Sequence, residues 1–425
     1  MLGGIYMLVQ FSVENYMSIK EKVVFSMLAS SDKELAENLI ESKNEKCLKS
    51  AVIYGANASG KSNFLKAINS VIFMMRNSNN MQPGMLLPIT PFKFDNEFTN
   101  RPSSFEFIMI INNIKYVYGF VADSSKIYEE YLYYYPNGKE TEIFERSEVN
   151  KFHYTITERK LKDIENKNME NKFFLATATT WNYEKTKPVF DFITNGINVL
   201  FDYEQLKGIS FEQYNNDKTG ELKEFSLKVL NEAEININGF TVSNVEITEE
   251  QLSMLPPELR TFFPNGSKGV NITTTHNIVD DSGKEISIKL DFEEESLGTK
   301  NLFILNPFLL HVLKEGKVLI IDELDRSLHP FLVKYIVKLF NSGEYNRNGA
   351  QLIFNTHDTN LLSLNLFRRD QIWFTEKDYK KGATDLYPLD DFPVRKTENI
   401  QKGYLNGRYG AIPFIAMGDN LWPEE

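Results

Sequence analysis

The stretch 50-SAVIYGANASGKSNFLKAINSVIFMM-75 places a short apolar segment before a glycine-rich loop and an amphipathic run. Its centre, Gly55 to Ser62, has the spacing G-x-x-x-x-G-K-S of a Walker A phosphate loop, which follows a strand and opens a helix. The backbone N–H groups of such a loop surround a phosphate, and the helix dipole adds positive potential. The predicted helix carries apolar residues on one face at three- and four-residue spacing: Phe64, Leu65, Ile68, Val71, Ile72 and Met75. The alternative, a glycine turn that caps a core helix, is disfavoured by this strand-loop-helix context.

The loop residues have distinct predicted roles. Lys61 would reach the β- and γ-phosphates, and the Ser62 hydroxyl would bind Mg²⁺. The sequence therefore predicts ATP and Mg²⁺ as cofactors. The residues assigned to nucleotide binding here are Gly55, Asn57, Ser59, Gly60, Lys61 and Ser62.

A second element is 318-VLIIDE-323, a four-residue apolar strand that ends in two carboxylates. A buried strand with Asp and then Glu at its tip is typical of a Mg²⁺-holding element. Asp322 would hold the metal, and Glu323 would polarise the attacking water as the catalytic base. A strand that ends in a solvated acidic turn is the alternative, and the phosphate loop in the same chain disfavours it.

The segment 351-QLIFNTHD-358 repeats this geometry on the next predicted strand. His357 would reach a γ-phosphate or hydrogen-bond Glu323. A lone histidine is more often structural, but its place in a strand-Asn-Thr-His-Asp segment favours a functional role here. The other four histidines, His153, His276, His311 and His329, do not suggest a metal, and no His/Cys cluster suggests zinc.

A further anion-binding element is 294-EESLGTKNL-302, ahead of a long apolar run. Ser296 has the offset of a helix N-cap, and Gly298 allows close backbone approach. In isolation, a capped helix start is the favoured interpretation. In 323-ELDRSLHP-330, Asp325 is predicted at an interface beside the nucleotide, and a helix-capping role is equally open for Ser327.

Composition limits the class of protein. The 425 residues are 42% hydrophobic and 25% charged, an ordinary globular balance, and the single Cys47 indicates a reducing cytoplasm. The apolar run at 301–321 is interrupted by polar residues and the N-terminus lacks signal-peptide features, so neither a membrane location nor secretion is expected. A net charge of −11 argues against a uniformly DNA-coating surface, though not against a local basic groove. The basic clusters "DYKKG" and "FRRD" favour solvated surface over a nucleic-acid site.

The order of patterns predicts an α/β fold whose two halves are far apart in sequence. Residues 7–28 alternate apolar and polar residues and are predicted to form a pair of strands. After residue 296, helices predicted near residues 297–314, 329–341 and 359–367 alternate with strands, which indicates a largely parallel, covered sheet that also contains the phosphate-loop strand. Between the halves, an antiparallel meander from about residue 88 to residue 160, a mostly helical stretch at residues 160–235 and a hairpin near residues 280–283 suggest an insertion. We predict three parts: residues 1–76, the first half of the ATPase head; 77–290, a β-rich and helical insertion or lid; and 291–425, the second half. No repeat or sustained heptad pattern is present, so a long coiled coil is not expected.

The motifs GxNxSGKS, ESxGT, apolar-DE and strand-THD, in that order, resemble those of ABC-type ATPases of the SMC, RecF and OLD class. More closely, "IYGANASGKSNFLKAI", "ESLGTKNL", "IIDELDRSLHP", "NTHDTNLL", "RRDQIWFTEK" and "YLNGRYGAIP" are similar to the AAA-15/AAA-21 family of bacterial ATPases, over roughly residues 7–75 and 290–414. The resemblance implies an ABC-type P-loop head that dimerises or forms higher oligomers around ATP. It makes Ser296, Gly298 and Thr299 the signature that completes the phosphate site of another subunit. The second glycine of transporter signatures is missing, and Gln82 is a candidate for the Q-loop glutamine.

Relatives of this type serve as the ATPase of anti-phage pairs, such as the PARIS and AbiL types, beside a Toprim-like nuclease or another toxic effector. The resemblance therefore implies a sensor or regulator in abortive-infection defence that controls a partner nuclease or toxin, triggered by DNA or a phage protein. The stretch after residue 375 is too short for a Toprim nuclease, so the effector is expected on another chain. The alternatives are a RecF-like DNA repair or recombination ATPase and a non-hydrolysing ATP-dependent scaffold, and Glu323 argues against the scaffold.

Overall fold

The computed structural model describes residues 6–43, 45–155, 159–246, 268–326 and 328–412. They form two compact units: residues 1–200, 315–324 and 337–425 make up the first, and residues 201–314 and 325–336 the second. These bounds differ from the three predicted parts. The meander after residue 77 belongs to the first unit because its strand Ser103–Ile111 pairs with the N-terminal strand Tyr6–Glu14. The three-part functional division stays a prediction.

The strands of the described residues are, in chain order, β1 (Tyr6–Glu14), β2 (Val23–Ser26), β3 (Leu39–Glu41), β4 (Lys46–Leu48), β5 (Ser50–Gly55), β6 (Ser103–Ile111), β7 (Ile114–Ala122), β8 (Ile127–Tyr135), β9 (Thr141–Ser147), β10 (Lys151–His153), β11 (Ile197–Leu200), β12 (Gly239–Glu246), β13 (Lys268–Val279), β14 (Glu285–Asp291), β15 (Val318–Ile321), β16 (Gln351–Asn355), β17 (Ile372–Lys377) and β18 (Thr384–Pro388). The α-helices of these same residues are α1 (Lys61–Asn77), α2 (Asn96–Thr99), α3 (Arg159–Glu165), α4 (Phe174–Thr180), α5 (Lys187–Asp191), α6 (Lys207–Asn215), α7 (Glu221–Glu232), α8 (Leu297–Glu315), α9 (Pro330–Asn341) and α10 (Ile400–Leu405). Short 3-10 turns lie at Ala36–Asn38, Ser78–Asn80, Glu204–Leu206, Phe292–Glu294, Thr359–Leu361, Arg369–Gln371 and Leu389–Asp391, and a π-helical turn lies at Phe192–Gly196.

The first unit contains a six-stranded sheet in the order β11-β15-β16-β5-β17-β18. Neighbours from β11 to β17 are parallel, and β18 joins β17 in antiparallel pairing. Every residue of β5, β15 and β16 is buried, as expected for parallel strands covered on both faces. The carboxyl ends of these three strands therefore meet at one edge of the sheet, where the phosphate loop and the two predicted polar segments begin.

The second sheet of this unit is antiparallel, in the order β10-β9-β8-β7-β6-β1-β2. The predicted strand pair at residues 7–28 and the predicted meander are thus one sheet. Helix α1 packs against this sheet, since the ring centroid of Phe64 lies 5.7 Å from that of Phe11 and 5.4 Å from that of Phe25. The apolar face predicted for α1 is buried throughout.

The second unit contains the sheet β12-β13-β14, the helices α6 and α7 and most of α8. The predicted hairpin is present, with Gly283 at a φ of 82° in the turn between β13 and β14. Pro307 interrupts the hydrogen bonds of α8, because it has no N–H to donate to the carbonyl of Phe303. The Tyr214 hydroxyl of α6 donates to that carbonyl at 3.0 Å, and Ser210 Oγ donates to the next carbonyl, Ile304, at 2.7 Å. These hydroxyls stabilise α8 where the proline disrupts it.

Two local predictions are corrected. The helix predicted near residues 359–367 is only a 3-10 turn at Thr359–Leu361, because Asp358 accepts the N–H of Asn360 in a tight local turn. The region 160–235, predicted as mostly helical, also contains β11, which pairs with β15 at the edge of the parallel sheet. The fold class, an α/β head with a β-rich and helical insertion, is confirmed. Among the described residues, no helix has the length and apolarity needed to cross a membrane.

Candidate functional site

The Walker A loop is fixed between β5 and α1 by close contacts with β17 and β18. A Cβ added to Gly55 would lie 2.3 Å from Thr375 Oγ1, and one added to Gly60 would lie 2.3 Å from Thr384 Oγ1. The hydroxyls of Ser59 and Thr375 are 2.6 Å apart, and Thr384 Oγ1 donates to the Ser59 carbonyl at 2.8 Å. Both glycines are therefore required sterically, and the loop has a defined shape.

Lys61, the first residue of α1, is only 5% exposed. Its Nζ donates to the carbonyls of Gly55 at 2.7 Å and Ala56 at 3.0 Å. The ammonium group thus lies inside the curve of the loop, where its charge can neutralise a phosphate.

Ser62 and Asp322, which are 260 residues apart in sequence, meet at the edge of the parallel sheet. Ser62 Oγ donates to Asp322 Oδ1 at 2.9 Å. Asn355, the last residue of β16, donates from Nδ2 to the same carboxylate oxygen. A hydroxyl and a carboxylate that converge at the mouth of a phosphate loop are the oxygen ligands that Mg²⁺ takes beside a nucleotide. The residues present fit a magnesium ion.

Glu323 follows in a constrained backbone conformation. Its φ is 53°, in the left-handed region that non-glycine residues rarely adopt. The backbone N–H of Glu323 donates to Asn355 Oδ1 at 2.5 Å, and the Leu324 N–H donates to the Asn355 carbonyl at 3.2 Å. Strained residues of this kind persist where surrounding contacts fix them, often at functional sites. The Asn355 side chain therefore orients both acidic residues. It contacts the carboxylate of Asp322 and the backbone N–H of Glu323.

His357 lies just after β16, and its side chain is exposed. Together with Gly55, Asn57 and Tyr404 it lines a cleft of about 370 Å³ beside the phosphate loop. The segment is fixed by the Tyr54 hydroxyl, which donates to the Asp358 carbonyl at 3.0 Å. The structure therefore places His357 next to the predicted nucleotide site.

The predicted signature lies in the second unit, at the start of α8. Ser296 Oγ accepts the backbone N–H of Thr299 at 3.2 Å, and the two hydroxyls are 2.8 Å apart. Ser296 is exposed and Thr299 is buried, so the start of the helix is capped and accessible. Ser296, Gly298 and Thr299 line a cleft of about 710 Å³ together with His329 and other residues of the same unit.

The two remaining predicted residues lie outside these groups. Asp325 belongs to the second unit and is half-buried. Gln82 is exposed, and its carbonyl accepts from Asn171 Nδ2 at 2.9 Å. The predicted cap Ser327 lies outside the described residues.

Sequence reasoning did not assign roles to Asn355, Thr375 and Thr384. Asn355 is inside the segment "FNTHD", and its position at the tip of the strand between β5 and β15 was an available signal. Thr375 and Thr384 lie on strands that contact the loop only through tertiary pairing, so no local pattern marked them.

A phosphate loop and a carboxylate pair at the ends of parallel strands, with an intervening strand that carries Asn355, define an ABC-type P-loop ATPase head. A family model described as "AAA domain, putative AbiEii toxin, Type IV TA system" matches residues 50–363. The chain belongs to this AAA-21 family, as the resemblance of its motifs predicted. No curated protein matches the chain.

Solved structures that match the chain include the SMC head domain from Thermotoga maritima, at 13% identity and a TM-score of 0.41, covering 90% of this chain and 98% of that chain. The Smc head of Pyrococcus furiosus with an extended coiled coil, bound to the C-terminal domain of ScpA, has 13% identity, a TM-score of 0.37 and coverages of 90% and 96%. CbiO1 from Clostridium perfringens, part of the ABC transporter complex cbiONQ, has 12% identity, a TM-score of 0.34 and coverages of 94% and 96%.

Proposed function

We propose that this protein is a Mg²⁺-dependent ATPase that dimerises or forms higher oligomers around ATP and regulates a partner nuclease or toxin in anti-phage defence. The observation that carries the ATPase proposal is the 2.9 Å hydrogen bond from Ser62 Oγ to Asp322 Oδ1. It joins the phosphate loop to the acidic strand tip, as a shared metal ion would require.

Each residue of the site has a role in this proposal. Ser62 and Asp322 hold Mg²⁺, and Lys61 neutralises the β- and γ-phosphates. Glu323 accepts a proton from the attacking water, and His357 contacts the γ-phosphate. The left-handed backbone of Glu323, fixed by Asn355, supports a preset position for its carboxylate.

The proposal that ATP is shared between subunits rests on the start of α8. Ser296, Gly298 and Thr299 form a capped, accessible helix N-terminus, which favours an anion. We assign this anion as the γ-phosphate of ATP on another copy of the chain, with Asp325 near the interface. A nucleotide that contacts two subunits in only one arrangement shifts the equilibrium towards that arrangement.

The proposed role in defence is supported by the toxin–antitoxin description of the family. In this role, ATP holds an assembly that restrains or delivers the effector, and hydrolysis resets it. DNA or a phage protein is the proposed trigger.

Subunit mixing tests the shared site. Lys61→Ala and Ser296→Arg each remove one half of every composite site, so each variant alone should lose hydrolysis. A mixed dimer contains one site with both halves intact and should recover part of the activity. Ser296→Thr, which keeps the capping hydroxyl, is the matched control. Verified mixed dimers with no recovered activity would exclude a site shared between chains, and a wild-type protein with no Mg²⁺-dependent hydrolysis would exclude the ATPase itself.

A further inference from the structure

A second pocket, of about 510 Å³, adjoins the Walker A loop in the first unit. Part of its lining is the loop at residues 56–59. Another part is the segment 377–382, called here the basic turn, which runs from the last residue of β17 into the connection to β18. Phe94 completes this part of the lining. The roles assigned to the ATP site use neither the basic turn nor Phe94.

The basic turn is held next to the phosphate loop by specific contacts. Thr384, the first residue of β18, donates from Oγ1 to the Ser59 carbonyl at 2.8 Å and from its N–H to the Ser18 carbonyl at 2.8 Å. Within the turn, Asp378 Oδ1 accepts the backbone N–H groups of Lys380 at 2.8 Å and Lys381 at 3.1 Å. The hydrogen bonds of Thr384 and Asp378 therefore fix the position and the conformation of the turn.

Two aromatic rings of the pocket face solvent to an unusual extent. Tyr379 is 80% exposed and Phe94 is 74% exposed. The Phe94 ring lies beside Gly382, where an added Cβ would be 2.8 Å from Phe94 Cδ2, and Lys377 Nζ lies 5.9 Å from the ring centroid. Gly382 therefore makes room for this ring, which leaves a face of it available at the pocket.

The charges of the pocket favour an anion. Lys377, Lys380 and Lys381 contribute three ammonium groups. Two carboxylates are nearby, and the Glu376 carboxylate accepts from the Tyr387 hydroxyl at 3.2 Å. Asp378 accepts two backbone N–H groups of the turn through Oδ1, and its Oδ2 lies 3.9 Å from Lys381 Nζ, so three ammonium groups stand against two carboxylates. The surrounding chain is acidic, with a net charge of −11, so the positive potential is local.

We propose that this pocket binds single-stranded nucleic acid, with a base stacked on Tyr379 or Phe94 and backbone phosphates on the three lysines. Exposed aromatic faces interleaved with lysines are the combination that binds single strands without sequence preference. The sequence "DYKKG" alone favoured a solvated surface. The structure adds a second aromatic ring, a pocket and a turn of fixed shape. A nucleic-acid strand bound here would contact the basic turn. The turn leads into Thr384, whose hydrogen bond to Ser59 also fixes the phosphate loop of the ATP site.

Fluorescence anisotropy of a labelled oligo(dT) of about 12 nucleotides, a length within the usual site sizes, tests the proposal. The measurement is made on the full chain without ATP, so its outcome does not depend on hydrolysis. Tyr379→Ala should weaken binding at least about fivefold through lost stacking, whereas Tyr379→Phe should bind like wild type. Lys380→Ala should reduce the slope of log K against log salt by about 0.7, the value for one phosphate of a single strand. Both side chains are on the surface, so these variants should fold.

Matched controls separate this pocket from general adsorption. Lys380→Glu/Lys381→Glu should abolish binding, whereas Lys33→Glu/Lys139→Glu changes two exposed lysines elsewhere by the same charge and should not. Phe73→Ala removes another exposed ring and should also leave binding unchanged. Wild type should bind an abasic oligomer of equal length less tightly than oligo(dT), and dTMP should compete only weakly. The proposal would be overturned if the two double lysine variants lost affinity for the oligomer equally, or if Tyr379→Ala bound it like wild type. Complete displacement of the oligomer by an equimolar concentration of dTMP would also overturn it.

Discussion

Asn355 Nδ2 donates a hydrogen bond to the carboxylate of Asp322, so the strand between the phosphate loop and the acidic tip positions the predicted metal ligand. The other end of the same amide accepts the Glu323 N–H at 2.5 Å. A single side chain thus connects the residue proposed to hold Mg²⁺ with the backbone of the proposed base.

Replacement of this amide should weaken metal binding. We expect Asn355→Leu to raise the Mg²⁺ concentration needed for half-maximal hydrolysis by about 10–100-fold, the usual effect of losing a hydrogen bond to a metal ligand. A Mg²⁺ titration of ATPase activity measures this change. The control is Asn365→Leu, which replaces an exposed asparagine in the connection between β16 and β17. An unchanged Mg²⁺ requirement in Asn355→Leu would show that Asp322 needs no such support.

Glu323→Gln should separate ATP binding from hydrolysis. The amide keeps the size of the side chain and the backbone hydrogen bond to Asn355, but it cannot accept the proton from water. We expect hydrolysis to fall by at least about 100-fold, as for loss of a general base. ATP-bound assemblies should accumulate and increase light scattering relative to wild type. A Glu323→Gln variant that hydrolyses ATP like wild type would disprove the assignment of Glu323 as the base.

Gly60→Ala should disrupt the phosphate loop. Gly60 has a φ of 112°, and an added Cβ would lie 2.3 Å from Thr384 Oγ1. We expect affinity for a fluorescent ATP analogue to fall at least about tenfold, because the N–H groups that surround the phosphate must shift. Gly220→Ala is the control, since Gly220 also has a positive φ, 74°, but nothing within 4 Å of an added Cβ. Similar affinities in the two variants would mean that the close approach to Thr384 is not needed for the site.

Tyr214→Phe should destabilise the second unit through the proline of α8. The lost hydroxyl leaves the Phe303 carbonyl without the partner that replaces the missing N–H of Pro307. We expect the free energy of unfolding in urea to fall by about 1–2 kcal/mol, with a smaller loss in a Pro307→Ala background, where a helical N–H returns. Ser226→Ala controls for the second hydrogen bond of Tyr214, the 2.8 Å contact with Ser226. An equal loss in both backgrounds would show that the hydroxyl does not compensate for the proline.

Cys47 should report unfolding of the first unit. Burial, with a smaller effect from Glu45, raises the pKa of the Cys47 thiol to about 12. Since the thiolate is the reactive form, alkylation at pH 8 should be about three orders of magnitude slower than in the unfolded chain, from the thiolate fraction alone. Mass spectrometry after iodoacetamide treatment, with and without urea, measures the difference, and Cys47→Ser should remain unlabelled. Rapid alkylation without urea would contradict the burial of Cys47 in β4.

The elements that could be predicted from the sequence are those specified by neighbouring residues. Strand β5, the loop and α1 follow one another directly, so glycine spacing and helical periodicity predict all three. The pairing of β1 with β6 could not be predicted in this way, because nothing near Tyr6 indicates which distant strand covers it. Lys61 and Asp322 could be assigned because their motifs consist of neighbouring residues. Thr384 could not be assigned, because its role depends on a distant contact. Its contact with Ser59 spans 325 residues and depends on the pairing of β17 with β5.

The strand order of the parallel sheet also has a consequence for synthesis of the chain on the ribosome. Both neighbours of β5, namely β16 and β17, are translated long after it, and Asp322 follows Ser62 by 260 residues. At ordinary elongation rates the nascent phosphate loop waits for on the order of tens of seconds before its sheet partners emerge. The hairpins of β6 to β9 need no such delay, since each pairs with its immediate successor. A growing chain should therefore acquire its antiparallel sheet first and its ability to bind nucleotide only after β16 and β17 have emerged from the ribosome.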